Sequence, residues 1–358
     1  MKPKKEKKVL VCMSGGVDSS VVAYLLQQEG YDVVGAFMKQ WTGTESLSGV
    51  CTWKEDRRDA IRVASFLGVP LITLDFEKEY RDMVMTYFFQ EYEKGRTPNP
   101  DVMCNKWIKF GFWLEKAQEL GFDFLATGHY AKIIKTKTGE YDLGMARDEK
   151  KDQTYFLHQL DQSQLSHVLF PLGDITKSAV RQIARKAGLP TAERGESMGM
   201  CFVGKVPMEE FLLRKIQKNS GNIVHAQTGK VLGKHKGLAF YTIGQRHGVV
   251  GIGGGRPLFV VQKKMEENIL VVGYDDDPQL KSLKVRLGPV HWISGHPSVF
   301  PLQCKVRLRH GQALQSARIV KKNQFFFLLF STPQRAVTSG QFAVFYHGDI
   351  CLGGAAVH

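Results

Sequence analysis

Two stretches of this chain, and one further cysteine, carry side chains able to do phosphate or covalent chemistry. Ser14-Gly15-Gly16-Val17-Asp18-Ser19-Ser20 gathers hydroxyls and a carboxylate around adjacent glycines. Glycine allows positive φ and close backbone approach, so such a turn can aim several N–H groups at one anion, with serine hydroxyls as further donors. Arg96-Thr97-Pro98-Asn99-Pro100-Asp101-Val102-Met103-Cys104-Asn105 places a carboxylate, Asp101, near a thiol, Cys104. Its prolines fix φ and discourage helix, which predicts a stiff turn presenting both groups. The apolar-periodic segment Lys106 to Leu120 puts Cys104 close to a predicted helix N-terminus, where a thiolate is stabilised. A half-buried packing cysteine is the alternative reading there. Cys201 follows Gly195 and Gly199 and precedes Gly204, a context suited to exposed, mobile backbone, although a buried cysteine fits the local sequence as well.

The first of these stretches sits between an apolar run, Val9 to Met13, and a helical pattern, Val21 to Leu26. Strand, glycine turn and helix in that order put the partial positive charge of a helix start beside the turn's N–H groups, an arrangement that favours phosphate. The spacing of a Walker loop is absent. The wording SGGVDSS resembles the pyrophosphate loop of enzymes that split ATP to AMP and pyrophosphate while adenylating an oxygen, which implies a reaction type without naming a substrate.

Strand and helix patterns then alternate to about residue 200. Strands are expected at 32–38, 71–74 and 124–127, and helices at 55–66, 77–94, 108–120, 176–187 and 207–217. Alternation of this kind predicts an α/β fold, a parallel sheet with helices on both faces and ligands at the carboxyl ends of its strands. Ser14–Ser20 and Thr127-Gly128-His129 both fall at such ends. Beyond Gly221 short β-rich runs separated by Gly, Pro and Asn/Asp turns predict small antiparallel β domains, the last a β-barrel. The expected domains are 1–210, 211–282 and 283–358.

A formal net charge of +14 on 358 residues points to a polyanionic partner. No run approaches the length of a membrane span, and the basic Met1–Lys8 segment lacks the apolar stretch of a signal peptide, so a soluble, cytoplasmic protein is expected. Six widely spaced cysteines with no Cys-x-x-Cys pair argue against a secreted disulfide scaffold. The histidines show no zinc spacing, Gly251 to Gly255 lacks the strand–helix context of a dinucleotide fingerprint, and Asp275 to Asp277 reads as a turn.

SGGVDSS, FMKQW, GRTPNPDVMCN, IKFG, ATGHYA, KDQTYFL, GMCF, YTIGQRHG and AVFYHGDICLGGAAV, in that order, resemble the tRNA-specific 2-thiouridylases over almost the whole chain. The resemblance implies a pyrophosphate-loop, adenine nucleotide hydrolase-like fold and ATP-dependent 2-thiolation of the wobble uridine (position 34) of tRNA. Cys12, Met13, Ser14, Gly15, Gly16, Val17, Asp18, Ser19, Met38 and Gly128 would hold ATP, with Mg²⁺ carried on its phosphates and no protein metal site. Cys201 would bear the persulfide and Cys104 would act as second thiol, the pair closing a transient Cys104–Cys201 disulfide, with Asp101 as the acid/base group. Asn99, Pro100 and Asp101 would meet the target base, and His129, Lys151, Asp152, Gln153, Arg307, Leu308 and Gln341 the tRNA. A persulfide sulfur-donor protein and a reductant are implied partners.

Some positions depart from the family pattern: Cys12 where glycine is common, Gln40 where asparagine is usual, and Leu308 where an aromatic is common, which removes a stacking platform. Cys51, Cys304 and Cys351 read as structural. Competing expectations are another pyrophosphate-loop ATPase (an amide ligase or a different, cluster-dependent tRNA thiolase) and a non-enzymatic RNA-binding protein. The ligases need no paired thiols, and the binding protein leaves SGGVDSS unexplained.

Overall fold

The computed structural model describes residues 4–39, 52–195, 208–246, 248–249, 256–296 and 299–358. The chain begins with β1 (Lys8–Cys12), α1 (Val17–Gln28), β2 (Asp32–Lys39), α2 (Thr52–Leu67) and β3 (Leu71–Asp75). Two longer helices follow, α3 (77–93) and α4 (100–119), then β4 (Phe124–Ala126) and a hairpin, β5 (Ala131–Lys135) and β6 (Tyr141–Met145). Short helices α5 (Thr154–Leu157) and α6 (Gln162–Leu165), β7 (Val168–Leu169) and α7 (Lys177–Lys186) complete this part.

β1 is buried at three consecutive residues, as an apolar strand covered on both faces must be. It pairs in parallel with β2 and β4, giving a five-stranded parallel sheet in the order β3-β2-β1-β4-β7. Because side chains alternate across a strand, Val9 and Val11 face one core with Val21 and Val22 of α1, Val63 of α2 and Val180 of α7. Leu10 faces the opposite core, with Phe88 of α3 and Ile108 and Trp113 of α4. The strand order reverses between β1 and β4, so the loops after these strands flank a topological switch point, the place where open α/β sheets bind ligands.

Past α8 (Met208–Leu212), a four-stranded sheet comprises β8 (Gly221–His225), β9 (Val231–His235), β10 (Phe259–Lys264) and β11 (Ile269–Gly273), ordered β10-β11-β8-β9. The last sheet is formed by β12 (Lys281–Leu287), β13 (His291–Trp292), β14 (Leu302–Arg307), β15 (Gln315–Lys322), β16 (Phe325–Arg335), β17 (Phe342–His347) and β18 (Ile350–Ala356). Backbone bonds from Gly288 N–H to Ala356 and from His358 N–H to Arg286 join its two ends, closing a barrel around Val306, Ile319, Leu328 and Phe345.

Four expectations change here. The Asp101–Cys104 stretch is helical: α4 starts at Pro100, with Asn99 capping it through a bond from Val102 N–H (3.3 Å). A proline is tolerated at the first helical position because the N–H it lacks has no intrahelical partner there, so the loop reading gave the prolines the wrong sign. The 207–217 helix is shorter in its described part, Met208–Leu212. β8 and β11 pair in parallel, since the long connection 236–258 can set the second hairpin alongside the first in either sense. The β5–β6 hairpin, absent from the sequence reading, adds to β18 at Leu143–Cys351 and Gly144–Ile350, so the first domain extends the barrel's sheet. Among the described residues no helix is long and apolar enough to cross a membrane.

Candidate active site

The loop after β1 is built to leave a helix start open. Gly16 is the N-cap of α1 and no side chain caps that end. Ser19 Oγ folds back to accept from Ser14 N–H (3.2 Å) and donate to the Gly16 carbonyl (3.1 Å), while Ser20 Oγ donates to the same carbonyl (2.8 Å). Gly15 has φ +77°, and a Cβ there would overlap the Asp56 carbonyl oxygen and lie 2.9 Å from Arg194 Nη1. Opposite, a Cβ on Gly128 would stand 3.2 Å from both Asp18 Cβ and Ser19 N, so the loops after β1 and β4 touch at the switch point. Met13, anchored by its N–H on the Ala36 carbonyl (2.8 Å), and Met38, half-buried near the end of β2, lie on the neighbouring strand ends. A cradle of helix-start N–H groups that no side chain among the described residues caps, between two glycine loops, fits the phosphates of a nucleotide.

Charged groups brace this cradle. Asp18 accepts from Tyr130 Oη (2.8 Å) and binds Lys177 Nζ with both carboxylate oxygens (2.7 and 2.6 Å). Arg194 donates from Nη1 to the Gly15 carbonyl (2.7 Å) and to Asp59 (2.6 Å), and from Nη2 to Asp56. Burial holds the Asp56 carboxyl above its ordinary range, against the pull of Arg194.

Asp101 and Cys104 lie one turn apart on α4, on the same side of the helix. Cys104 is buried (3% exposed), and from it to Phe112 the helix opens into wider π turns, a feature that recurs at functional sites. Burial raises the Asp101 carboxyl, with the Lys109 ammonium and then His310 pulling the other way. Burial likewise pushes the Cys12 thiol up, again opposed by Lys109. The same ammonium adds to the burial that keeps the His129 ring neutral. Gln341, in the turn before β17, holds this turn from outside: its Nε2 donates to the Thr97 (3.0 Å) and Pro98 (3.1 Å) carbonyls.

The residues expected at the RNA divide into two kinds. Asn99 caps α4, Pro100 is buried at its first position, and Lys151 is half-buried. Gln153 braces Tyr130, accepting its N–H at Oε1 (3.0 Å) and donating its own backbone N–H to the Tyr130 carbonyl. Asp152 and Arg307 are instead buried against one another, with Ala146 N–H and Thr154 Oγ1 also donating to Asp152. A buried pair whose carboxylate also accepts from two further groups is a strut between first domain and barrel, costly to break by removing one partner. Leu308 is buried, and His129 packs between Phe110 and Phe170 with its ring held neutral by burial. Cys201, Cys51 and Gln40 lie outside the described residues, as do Gly251 to Gly255.

Sequence reading missed Lys109, although IKFG was visible, and gave no role to Tyr130, Lys177, Asp56, Asp59 or Arg194. Among the described residues no group of three or more His, Cys, Asp or Glu is arranged to hold a metal ion.

A family model described as the tRNA methyl transferase HUP domain matches residues 7–205. A tRNA methyl transferase PRC-barrel domain matches 209–274, and an aminomethyltransferase beta-barrel domain 282–357. The chain is 48% identical to the tRNA-specific 2-thiouridylase MnmA of Halalkalibacterium halodurans over 98% of this chain and 95% of that protein. Identity to the tRNA-specific 2-thiouridylase MnmA of Staphylococcus aureus is 46%, over 99% of this chain and 95% of that protein. Among solved structures, a U34-tRNA thiolase from Methanococcus maripaludis aligns at 19% identity and TM-score 0.38, covering 56% of this chain and 62% of that one. So distant an alignment supports no step below. The domain descriptions speak of methyl transfer and the curated relatives of thiolation; near-full-length identity approaching one half favours the relatives.

Proposed function

The chain belongs to the tRNA-specific 2-thiouridylase family, and from that premise we propose that it replaces the C2 oxygen of the wobble uridine of tRNA with sulfur, at the expense of ATP. The observation that carries this reading is the phosphate cradle at the switch point, where the α1 start that no side chain caps meets Gly128 of the loop after β4.

In the first step the uridine O2 attacks the α-phosphorus of ATP and pyrophosphate leaves. The loop N–H groups from Gly15 to Ser19 take the developing phosphate charge where it forms. Mg²⁺, arriving on the phosphate oxygens, would supply further charge neutralisation, and Asp18, in the first turn of α1, would help to hold it. Asp101 takes the N3 proton as O2 becomes an alkoxide-like nucleophile, and returns it when the thiocarbonyl forms.

In the second step a persulfide on Cys201, loaded by a sulfur-donor protein, provides the sulfur. Either its terminal sulfur attacks C2, AMP departs, and Cys104 then attacks the Cys201 sulfur to free the thiolated base; or Cys104 attacks first and releases hydrosulfide, which displaces AMP. Both routes end in a Cys104–Cys201 disulfide, and two electrons from an external reductant reopen it. Gln341 and the Asp152–Arg307 strut support the base-binding turn from the barrel side. We divide the chain into a catalytic domain (1–210), a central β domain (211–282) and a C-terminal barrel (283–358), both β domains serving to grip tRNA; the separate buried cores around Ile223 and Val306 support that division.

The test is mass spectrometry of the wobble nucleoside after incubation with ATP, tRNA and a persulfide donor, across a pH range. Sulfur is expected to replace oxygen only when ATP is present. Since burial raises the Asp101 carboxyl, it takes up its proton above the ordinary carboxylate range as pH falls, and the rate drops through that raised pKa. Asp101→Asn is expected to lower the rate about 10²–10⁴-fold and to flatten this acidic limb. A wobble uridine left unmodified by the wild type sinks the proposal; a full-rate Asp101→Asn enzyme sinks the proton-transfer role.

A further inference from the structure

Lys177 is the first residue of α7, and Thr176 caps that helix by accepting from Ala179 N–H (3.3 Å). Its side chain is 13% exposed, and its ammonium meets both oxygens of Asp18, which lies in the first turn of α1. The starts of two helices therefore meet at one ion pair, each directing partial positive charge toward it. Tyr130 fixes the geometry, donating to Asp18 while its ring lies 5.9 Å from the same ammonium. Asp18 is thus an anion held in a field that three cationic or partly cationic groups create, directly beside the open N-terminus of α1. A phosphate oxygen brought to that N-terminus has the same charge and the same partners available.

We propose that Lys177 is a phosphate-binding residue, parked on the Asp18 carboxylate until the pyrophosphate portion of ATP displaces it. In the free protein the carboxylate keeps the ammonium aimed at the cradle and offsets the desolvation of both groups. When a phosphate enters, Lys177 transfers from Asp18 to the phosphate, and the released carboxylate is left facing the divalent cation that accompanies the nucleotide. The inference rests on the phosphate-loop reading above and adds to it a named cation and an exchange of partners.

This exchange gives Asp18 and Lys177 opposite roles when no divalent cation is present. Isothermal titration of inorganic pyrophosphate, in chelator and without Mg²⁺, reads those roles apart from catalysis. Lys177→Gln is expected to weaken binding about 10- to 100-fold, the loss of one charge-assisted contact. Asp18→Asn removes the competing anion and is expected to tighten binding severalfold under the same conditions. Lys177→Arg, which keeps the charge, is expected to recover most of the affinity. If both charge-removing variants lose affinity together, or neither changes, the ion pair is a structural brace and the proposal is overturned. If the wild type binds no pyrophosphate at all, the phosphate-loop reading fails with it. Thermal melting of each variant in the absence of ligand verifies that the folded chain is what is titrated.

Discussion

Changing Cys104 to alanine is expected to leave adenylation running and to stop sulfur delivery. With tRNA, ATP and a persulfide donor, the variant should still release pyrophosphate, while 2-thiouridine falls at least about a thousandfold, the scale of removing a nucleophile from a group that acts as a unit. Cys104 is only 3% exposed and sits on α4 one turn from Asp101, so a thiol from solution is a poor substitute for it. The residue of the reaction also tells the two routes apart. If the persulfide attacks the base directly, the variant should accumulate tRNA joined to Cys201 through a disulfide, visible as a gel shift that reductant reverses. If hydrosulfide is released first, no adduct forms and the Cys201 persulfide survives. Wild-type thiolation by Cys104→Ala would remove this residue from the chemistry.

The second large effect is expected at Gly15. Its φ of +77° already disfavours any L side chain by about 1–2 kcal/mol, and the added Cβ would overlap the Asp56 carbonyl, a backbone atom that cannot swing aside. Relief requires the loop to move away from α2, which breaks the Arg194 bonds to the Gly15 carbonyl and to Asp59 and turns the N–H groups off their target. Gly15→Ala is therefore expected to weaken ATP binding at least about 100-fold and to lower the melting temperature, with tRNA affinity nearly unchanged. Gly16→Ala is the control. Gly16 has φ −87°, and among the described residues its Cβ would meet only Ser14 Oγ, at an ordinary 3.5 Å, so the melting temperature of the variant should stay near wild type. Equal loss of stability in the two variants would contradict this account of the loop.

Much of this was legible in the sequence where local physics decides. Val9 to Met13 could only be a strand, and Gly15 and Gly16 between it and Val21-Val22 could only turn the chain tightly. That sufficed to expect a phosphate loop at a strand end. Where the deciding partner lies far along the chain, the sequence is silent. Arg307 and Asp152, placed at the tRNA by family resemblance, are buried on one another, a pairing that no local pattern encodes. Lys177 reads as an ordinary helix-start lysine until the fold carries it to Asp18, and Arg194 until it reaches Gly15. The start of α4 was misread for a different reason: proline stops a helix in its interior but suits its first position, and only the Asn99 cap reveals which applies. The role given to Cys201 rests on family resemblance alone, its flanking glycines being compatible with either an exposed thiol or a packed one.

The central claim is that ATP activates the very oxygen that sulfur replaces. It is tested most directly with tRNA carrying ¹⁸O at C2 of the wobble uridine, incubated with the protein, ATP and a persulfide donor. Mass spectrometry of the AMP is expected to show one ¹⁸O atom in its phosphate for each 2-thiouridine formed, because the C2–O bond breaks and the oxygen leaves with phosphorus. Thiolated tRNA accompanied by unlabelled AMP, with the label recovered in water instead, would contradict it.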